Sequence, residues 1–197
     1  MKPYFETELG KLYHGDCLEV MPQLEPVDLV LTDPPYPDYH TEIYAYKPEL
    51  IKCLKTIDCK QYIFWSAKVQ FPINYTAIHI WNKCRGVGST YERIFERNGG
   101  KLYKVYSVLS INSKIAAGWV GDDFTGHPSQ KPKQLIMAIL ESEKYNTVLD
   151  LYFGSGSVGI VSERLNRRWI GIEISEEYCE IAAKRIENET RQLKLFV

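Results

Sequence analysis

The chain has 197 residues, of which 45% are hydrophobic and 25% charged, with a formal net charge of −1. That balance excludes a disordered or collagen-like chain and fits one globular domain long enough to bury a core without staples. The opening MKPYFETELG has no signal-peptide core and no run of about 18 apolar residues follows, so the expectation is a soluble, cytoplasmic protein.

The five cysteines, at 17, 53, 59, 84 and 179, are odd in number and form no Cys-x-x-Cys pair. They argue against a disulfide framework and against a zinc site. Charge is uneven along the chain. Residues 1–45 carry nine acids against two lysines, while 81–105 carry Lys83, Arg85, Arg93, Arg97, Lys101 and Lys104 against Glu92 and Glu96. Such a gradient marks either a phosphate-facing patch or a solvated face.

In chain order, Lys11–His14 reads as a short strand. Asp16-Cys17-Leu18-Glu19 has the form of a capping box, which predicts a short helix ending near Leu24. Val27–Thr32 is an apolar run suited to a parallel strand covered on both faces. Thr32-Asp33-Pro34-Pro35-Tyr36 follows it directly. Two prolines fix the backbone there and hold Asp33 extended. A helix is predicted around Pro48–Thr56, then strands at Gln61–Trp65, Ala77–Trp81, Arg93–Glu96 and Leu102–Ile111, with Asn98-Gly99-Gly100 as a turn. Leu135, Ile136, Ile139 and Leu140 have helical spacing within Lys133–Ser142.

The last third repeats a strand–helix rhythm. Thr147–Asp150 is a strand, about Val158–Asn166 a helix, and Trp169–Ile174 a strand. Ser175 caps a final helix whose apolar face is Tyr178, Ile181, Ala182 and Ile186. Alternation of this kind predicts an α/β fold with a mostly parallel sheet flanked by helices.

Between strand and helix lies Gly154-Ser155-Gly156-Ser157-Val158-Gly159, a G-x-G-x-x-G turn. Glu173 ends the next strand nineteen residues after Gly154. Glycines allow the tight turn and a close ligand, and the acid accepts hydrogen bonds from ribose hydroxyls. Asp150 closes the strand just before the turn. A carboxylate there repels a pyrophosphate and suits a cationic amino-acid ligand, so the charge favours S-adenosylmethionine over a dinucleotide. Only 24 residues follow Glu173, so the rest of the sheet must come from upstream. The glycine unit then supplies the first two strands of a circularly permuted sheet, with Lys11–His14 and Val27–Thr32 as its third and fourth. Asp16, Asp33, Asp150 and Glu173 are expected on one rim, at the carboxyl ends of their strands.

At this point the chain resembles the amino-methyltransferases that act on exocyclic amines of DNA, in the permuted β-group arrangement. Asp33-Pro34-Pro35-Tyr36 matches the family's D-P-P-Y. Asp150–Gly156 is similar to its D-x-F-x-G-x-G cofactor motif, with Leu151-Tyr152 in place of Pro-Phe. His127-Pro128-Ser129-Gln130-Lys131-Pro132 is similar to its H-P-x-Q-K-P element, and Ile80–Lys83 with Tyr91–Ile94 to its middle strands. The resemblance implies the S-adenosylmethionine-dependent methyltransferase fold over 1–197, with a permuted seven-stranded sheet. It implies a catalytic half at about 1–105, a short recognition loop at about 106–125 and a cofactor half at about 126–197.

The resemblance further implies that Asp33, Pro34, Pro35 and Tyr36 are catalytic. Asp33 and the Pro34 carbonyl would hold the target amine, and Tyr36 would stack on a base swung out of the duplex. It implies cofactor contacts from Asp16, Asp33, His127, Ser129 and Lys131, and from Asp150, Phe153, Gly154, Ser155, Gly156, Glu173 and Ile174. No metal is implied. DNA is the implied partner, faced by the basic 81–105 region and the 106–125 loop, with selectivity supplied by these or by a second copy in a homodimer. Tyr39 and His40 fall in the loop after the catalytic motif as lid residues, and Trp119 as a DNA-contacting residue; Trp65 and Trp81 read as core. An aspartate in the first motif position leans toward adenine N6 rather than cytosine N4. RNA or a glutamine amide as acceptor, and an inactive cofactor- or DNA-binding subunit, are the alternatives.

Overall fold

The computed structural model describes residues 1–38, 45–86, 88–100, 102–111 and 121–194; Tyr39, His40 and Trp119 lie outside them. The strands are β1 (Phe5–Glu6), β2 (Gly10–His14), β3 (Leu29–Thr32), β4 (Lys60–Trp65), β5 (Ala77–Asn82), β6 (Tyr91–Arg97), β7 (Val105–Ser107), β8 (Thr147–Asp150) and β9 (Arg168–Glu173). The helices are α1 (Cys17–Val20), α2 (Pro48–Cys53), α3 (Lys133–Glu141), α4 (Ser157–Arg164) and α5 (Glu176–Lys194).

Among the described residues the strands form one sheet in the order β1-β2-β9-β8-β3-β4-β6-β5-β7. The late strands β8 and β9 stand between the early strands β2 and β3, which is the permuted arrangement. Pairing is parallel from β2 through β9, β8 and β3 to β4. It turns antiparallel at β6 and β5. Nine strands replace the expected seven because two short ribbons extend the edges. Two-residue β1 folds back on β2, and three-residue β7 lies beside β5. Only 105–107 of the strand-like stretch Leu102–Ile111 is ladder, and Leu102 and Tyr103 are exposed.

Both faces of the sheet are covered, so β3 is buried at all four positions. Leu29, Leu31, Tyr62 and Phe64 pack with α3, α4 and α5 through Leu135, Ile139, Val161 and Ile186. Val30, Ile63 and Trp65 face the other layer with Val20, Ile51 and Leu54. The alternation along each strand is the period-two side-chain placement of a pleated sheet. Asp16 caps α1 by accepting from the Leu18 N–H at 2.9 Å.

The cations of 81–105 are mostly committed inside this fold. Arg93 donates to the Ser66 and Val69 carbonyls. Arg97 donates to Leu54, Gln61 and Asn74. Lys104 reaches Ser142, and Lys83 reaches Glu92. The gradient seen in the sequence is therefore largely an internal bonding pattern; Arg85 is the described cation of the stretch that these contacts leave out.

Candidate active site

The parallel strands β2, β9, β8, β3 and β4 end on one rim, and the order reverses between β8 and β3. An open α/β sheet has its natural crevice at such a point. The two strand ends are stitched there by one hydroxyl. Thr32 donates from Oγ1 to Asp150 Oδ1 at 3.0 Å and accepts from the Leu151 N–H at 3.2 Å.

A cleft of about 750 Å³ opens above this junction. Asp33, Pro34, Pro35 and Tyr36 form one wall. The opposite side is built from Asp150, Phe153, Gly154, Ser155 and Glu173, and His127, Ser129 and Lys131 close a third side. A second cleft of about 410 Å³ adjoins it, lined by Asp16 and Ile174 and sharing Pro35, Tyr152 and Glu173 with the first. Twelve of the fifteen residues singled out in the sequence line the first cleft; Asp16 and Ile174 line the second, and Gly156 alone lines neither. Gly156 sits just beneath, as the N-cap of α4.

The glycine turn needs its glycines for distinct reasons. Gly154 has φ +50°, and a Cβ there would stand 3.0 Å from His127 Nε2. Gly156 has φ +81°, and a Cβ would stand 3.0 Å from that of Ala182. Phe153 points down from the turn and stacks on Trp169 with centroids 5.2 Å apart, so it supports the turn from the core. Arg185 of α5 donates to the Ser155 carbonyl at 2.5 Å. The Glu173 carboxylate accepts from the Gly154 N–H at 2.7 Å and the Ser175 N–H at 2.9 Å.

Electrostatics differ across the cleft. Burial pushes the Asp150 carboxyl up to about 7, against the hydrogen bonds from Tyr152 and Thr32, and the nearby charges of Asp33 and Glu173 add to the rise. Burial pulls His127 down to about 4, with Lys131 and Arg185 acting in the same direction, so its imidazole is neutral at pH 7. His127 Nδ1 accepts from the Ser129 N–H at 3.1 Å, and its ring meets Tyr178 edge-on.

On the proline wall, Lys131 is ion-paired with Asp33 Oδ2. Its ammonium also lies 3.6 Å from Glu92 Oε2 and 5.0 Å from the centre of the Phe64 ring. Glu92 in turn binds Lys83 at 2.6 Å. Tyr36 donates to Asp33 Oδ1 at 2.5 Å and has Glu92 Oε2 at 3.4 Å, while its ring is braced by Trp65. Burial raises Asp33, Lys131 pulls it back, and Glu92 pushes it up again. Burial alone would raise Glu92 as well, but the two lysines outweigh it and hold it below the ordinary range.

Glu92 and Lys83 are the site residues that sequence reasoning missed. Across the β5–β6 hairpin they stand side by side, next to the Trp81↔Glu92 pair. A signal was present: Glu92, Ile94 and Glu96 share one face of β6, and that face is buried around Ile94. An acid on an apolar strand face needs a cation partner.

With this geometry in hand, a family model described as DNA methylase matches residues 57–184. The chain is 39% identical over 101 residues to the type II methyltransferase M2.DpnII of Streptococcus pneumoniae, a match covering 50% of this chain and 36% of that protein. Against the type II methyltransferase M.BamHI of Bacillus amyloliquefaciens it is 26% identical over 264 aligned residues, covering 99% of this chain and 61% of the relative. The matched length is thus about a third to three fifths of these curated relatives. Among solved structures, the M1.HpyAVI–SAM complex superposes with a TM-score of 0.64 at 22% identity, covering 90% of this chain and 99% of that one. The PvuII DNA methyltransferase (cytosine-N4-specific) superposes at 0.65 and 16% identity, covering 97% and 94%. At these identities the superpositions establish the shared fold.

Proposed function

The chain belongs to the DNA methylase family, and from that premise we propose that it moves a methyl group from S-adenosylmethionine to the exocyclic N6 amine of adenine in DNA. One observation carries the reading. Asp33 and Asp150, more than a hundred residues apart in sequence, line a single cleft together with Glu173.

The donor set fits the cofactor. A buried Asp150 with raised affinity for protons welcomes a cation, and the Gly154 position leaves open the space that a Cβ would take against His127. S-adenosylmethionine supplies an electrophilic methyl on a sulfonium when bound. Asp150, Ser129 and the Gly154–Ser155 turn would hold its amino-acid end, Glu173 its ribose, and Asp16 with Ile174 the adenine in the second cleft. Phe153 and Gly156 would act by shaping the turn.

The acceptor side follows from the proline wall. An aryl amine has its lone pair delocalised into the ring. Asp33 and the Pro34 carbonyl would accept from its two N–H groups, favour a pyramidal nitrogen and aim the lone pair along the line of transfer. Tyr36 would stack on the base, which must leave the duplex to enter the cleft. No enzyme nucleophile is needed: the nitrogen–carbon bond would form as the carbon–sulfur bond breaks, S-adenosylhomocysteine would leave as a neutral thioether, and the surplus proton on nitrogen would pass to solvent. In this reading about 1–105 is the catalytic half, 126–197 the cofactor half, and 106–125 with Arg85 the DNA-facing part. The M.BamHI alignment is longer than this chain, so that relative carries inserted residues here lacking, in keeping with a reduced recognition region.

Asp33 can orient the N4 amine of cytosine as well, and that acceptor is the second reading. The test is incubation with S-adenosylmethionine labelled in its methyl group and duplex DNA, single-stranded DNA or RNA, followed by digestion to nucleosides. Label in N6-methyladenine supports the proposal. Label in N4-methylcytosine replaces the acceptor, and label in no nucleoside overturns the reading.

A further inference from the structure

Both oxygens of Asp33 are engaged before any substrate is present. Oδ2 holds the Lys131 ammonium and Oδ1 takes the Tyr36 hydroxyl. The amine that Asp33 is proposed to orient needs one of them at full acceptor strength. Lys131 is poorly placed to yield, because it is buried against Phe64 and drawn to two carboxylates. The Tyr36 hydroxyl is different. A second acceptor, Glu92 Oε2, already lies 3.4 Å away. A turn of the O–H about the Cζ–O bond, with a small tilt of the ring on Trp65, moves the hydrogen bond from one carboxylate to the other.

We propose that Glu92 is a positioning residue that receives the Tyr36 hydroxyl when the target amine claims Asp33 Oδ1. No proton changes owner: the phenol stays a phenol and exchanges acceptors. Lys83 anchors the other Glu92 oxygen at 2.6 Å, which keeps Oε2 turned toward Tyr36 and Lys131. Lys131 meanwhile fixes Oδ2, so the carboxylate cannot rotate as the hydroxyl departs. The arrangement makes Asp33 fully available only to a ligand that offers N–H donors in return, which penalises a base lacking the amine.

This inference rests on the proposed amine-methylating reading, and the experiment separates the two. Glu92→Met, Tyr36→Phe and the double variant are compared for kcat and for S-adenosylmethionine affinity. Glu92→Met is expected to lower kcat by roughly tenfold or more while cofactor affinity holds. In the Tyr36→Phe background, where there is no hydroxyl to receive, the same substitution is expected to cost severalfold less. Glu92→Gln, which keeps a carbonyl acceptor, should recover part of the loss. Glu92→Met leaves Lys83 buried without its carboxylate, so Lys83→Met/Glu92→Met provides a charge-balanced version.

A readout independent of turnover is the [13Cζ]tyrosine line of Tyr36, identified by its absence from Tyr36→Phe. It should shift in Glu92→Met. An unmoved line, or losses in kcat that simply multiply in an active enzyme, would overturn the hand-over while leaving the methyl-transfer reading intact. A wild-type chain that methylates no nucleic acid would overturn that reading and the hand-over with it.

Discussion

Carboxylates stand on both sides of the cleft, fully buried on one and half-buried on the other, and they are held by opposite means. Asp150 and Glu173, on the glycine-turn side, accept from main-chain N–H groups and from the Thr32 hydroxyl. Asp33 and Glu92, on the proline side, are bound by the ammonium groups of Lys131 and Lys83. Burial raises Asp150 to about 7, its neutral donors only partly oppose the rise, and the nearby charges of Asp33 and Glu173 add to it. On the second side burial also acts first; Lys131 and Lys83 outweigh it at Glu92, which falls, whereas Asp33 stays raised because Lys131 offsets only part of its burial and Glu92 adds to the rise. In the proposed reading, one side would take a positive ligand that arrives from outside, and the other a neutral amine that must find its acceptors already aimed. The same residue type would then do two jobs through its partners.

The strongest way to break this contrast is to remove the aimed acceptor. Asp33→Ala should lower methyl transfer by on the order of 10³-fold, while S-adenosylmethionine affinity, followed by calorimetry, stays within severalfold. Loss of both together would mean that the two sides are not separate in function. Glu173→Gln should do the reverse. Its amide has one acceptor oxygen for the work of two, so cofactor affinity is expected to fall roughly 10- to 100-fold, with kcat at saturating cofactor far less changed.

A proton count sharpens the comparison further. A cationic ligand beside Asp150 favours its ionised form, so cofactor binding near pH 7 should release a fraction of a proton, and Asp150→Asn should abolish that release. Titration calorimetry in buffers of different ionisation heat reads this directly.

The smallest effect is on stability. Asp150 has a folded pKa above its ordinary value, so the stability it confers is present at low pH and is lost as pH rises toward 7. His127 is depressed to about 4, so its contribution is present above the ordinary histidine value and is lost as pH falls toward 4. The two slopes oppose each other over nearly the same window. Asp150→Asn should make stability increase with pH between 4 and 7 relative to wild type, and His127→Asn should make it decrease. Each change approaches about 1.4 kcal/mol per pH unit at most, and urea unfolding at several pH values measures it.

Much of the rim was legible because its chemistry is local in sequence. Asp33-Pro34-Pro35-Tyr36 follows β3, and Gly154–Gly156 comes after β8; both lie where hydrophobic runs stop, and a stopped run marks a strand end. Glu173 was legible from its distance to the glycines. Strand periodicity could not reveal β1, since two residues hold less than one period of pattern, and it overextended β7, of which only Val105–Ser107 of the predicted Leu102–Ile111 is ladder. Lys83 and Glu92 were hidden for another reason. The alternation of Glu92, Ile94 and Glu96 on one face of β6 hints that an acid there needs a partner, but which cation pairs with it is fixed only once the β5–β6 register is set. Arg93 and Arg97 are a related case. Their counts left a phosphate-facing patch and a solvated face both open, whereas their side chains satisfy backbone carbonyls of neighbouring loops.

The strand order also dictates a sequence of events during synthesis. β2 and β3 leave the ribosome more than a hundred residues before β8 and β9, the two strands that must settle between them. Until Thr147–Glu173 is made, β2 has no parallel neighbour and one flank of β3 stays open. Until then the early strands lack the neighbours that complete the centre of the sheet, and the cleft needs contacts closed over more than a hundred residues, a non-local topology of the kind associated with slower folding.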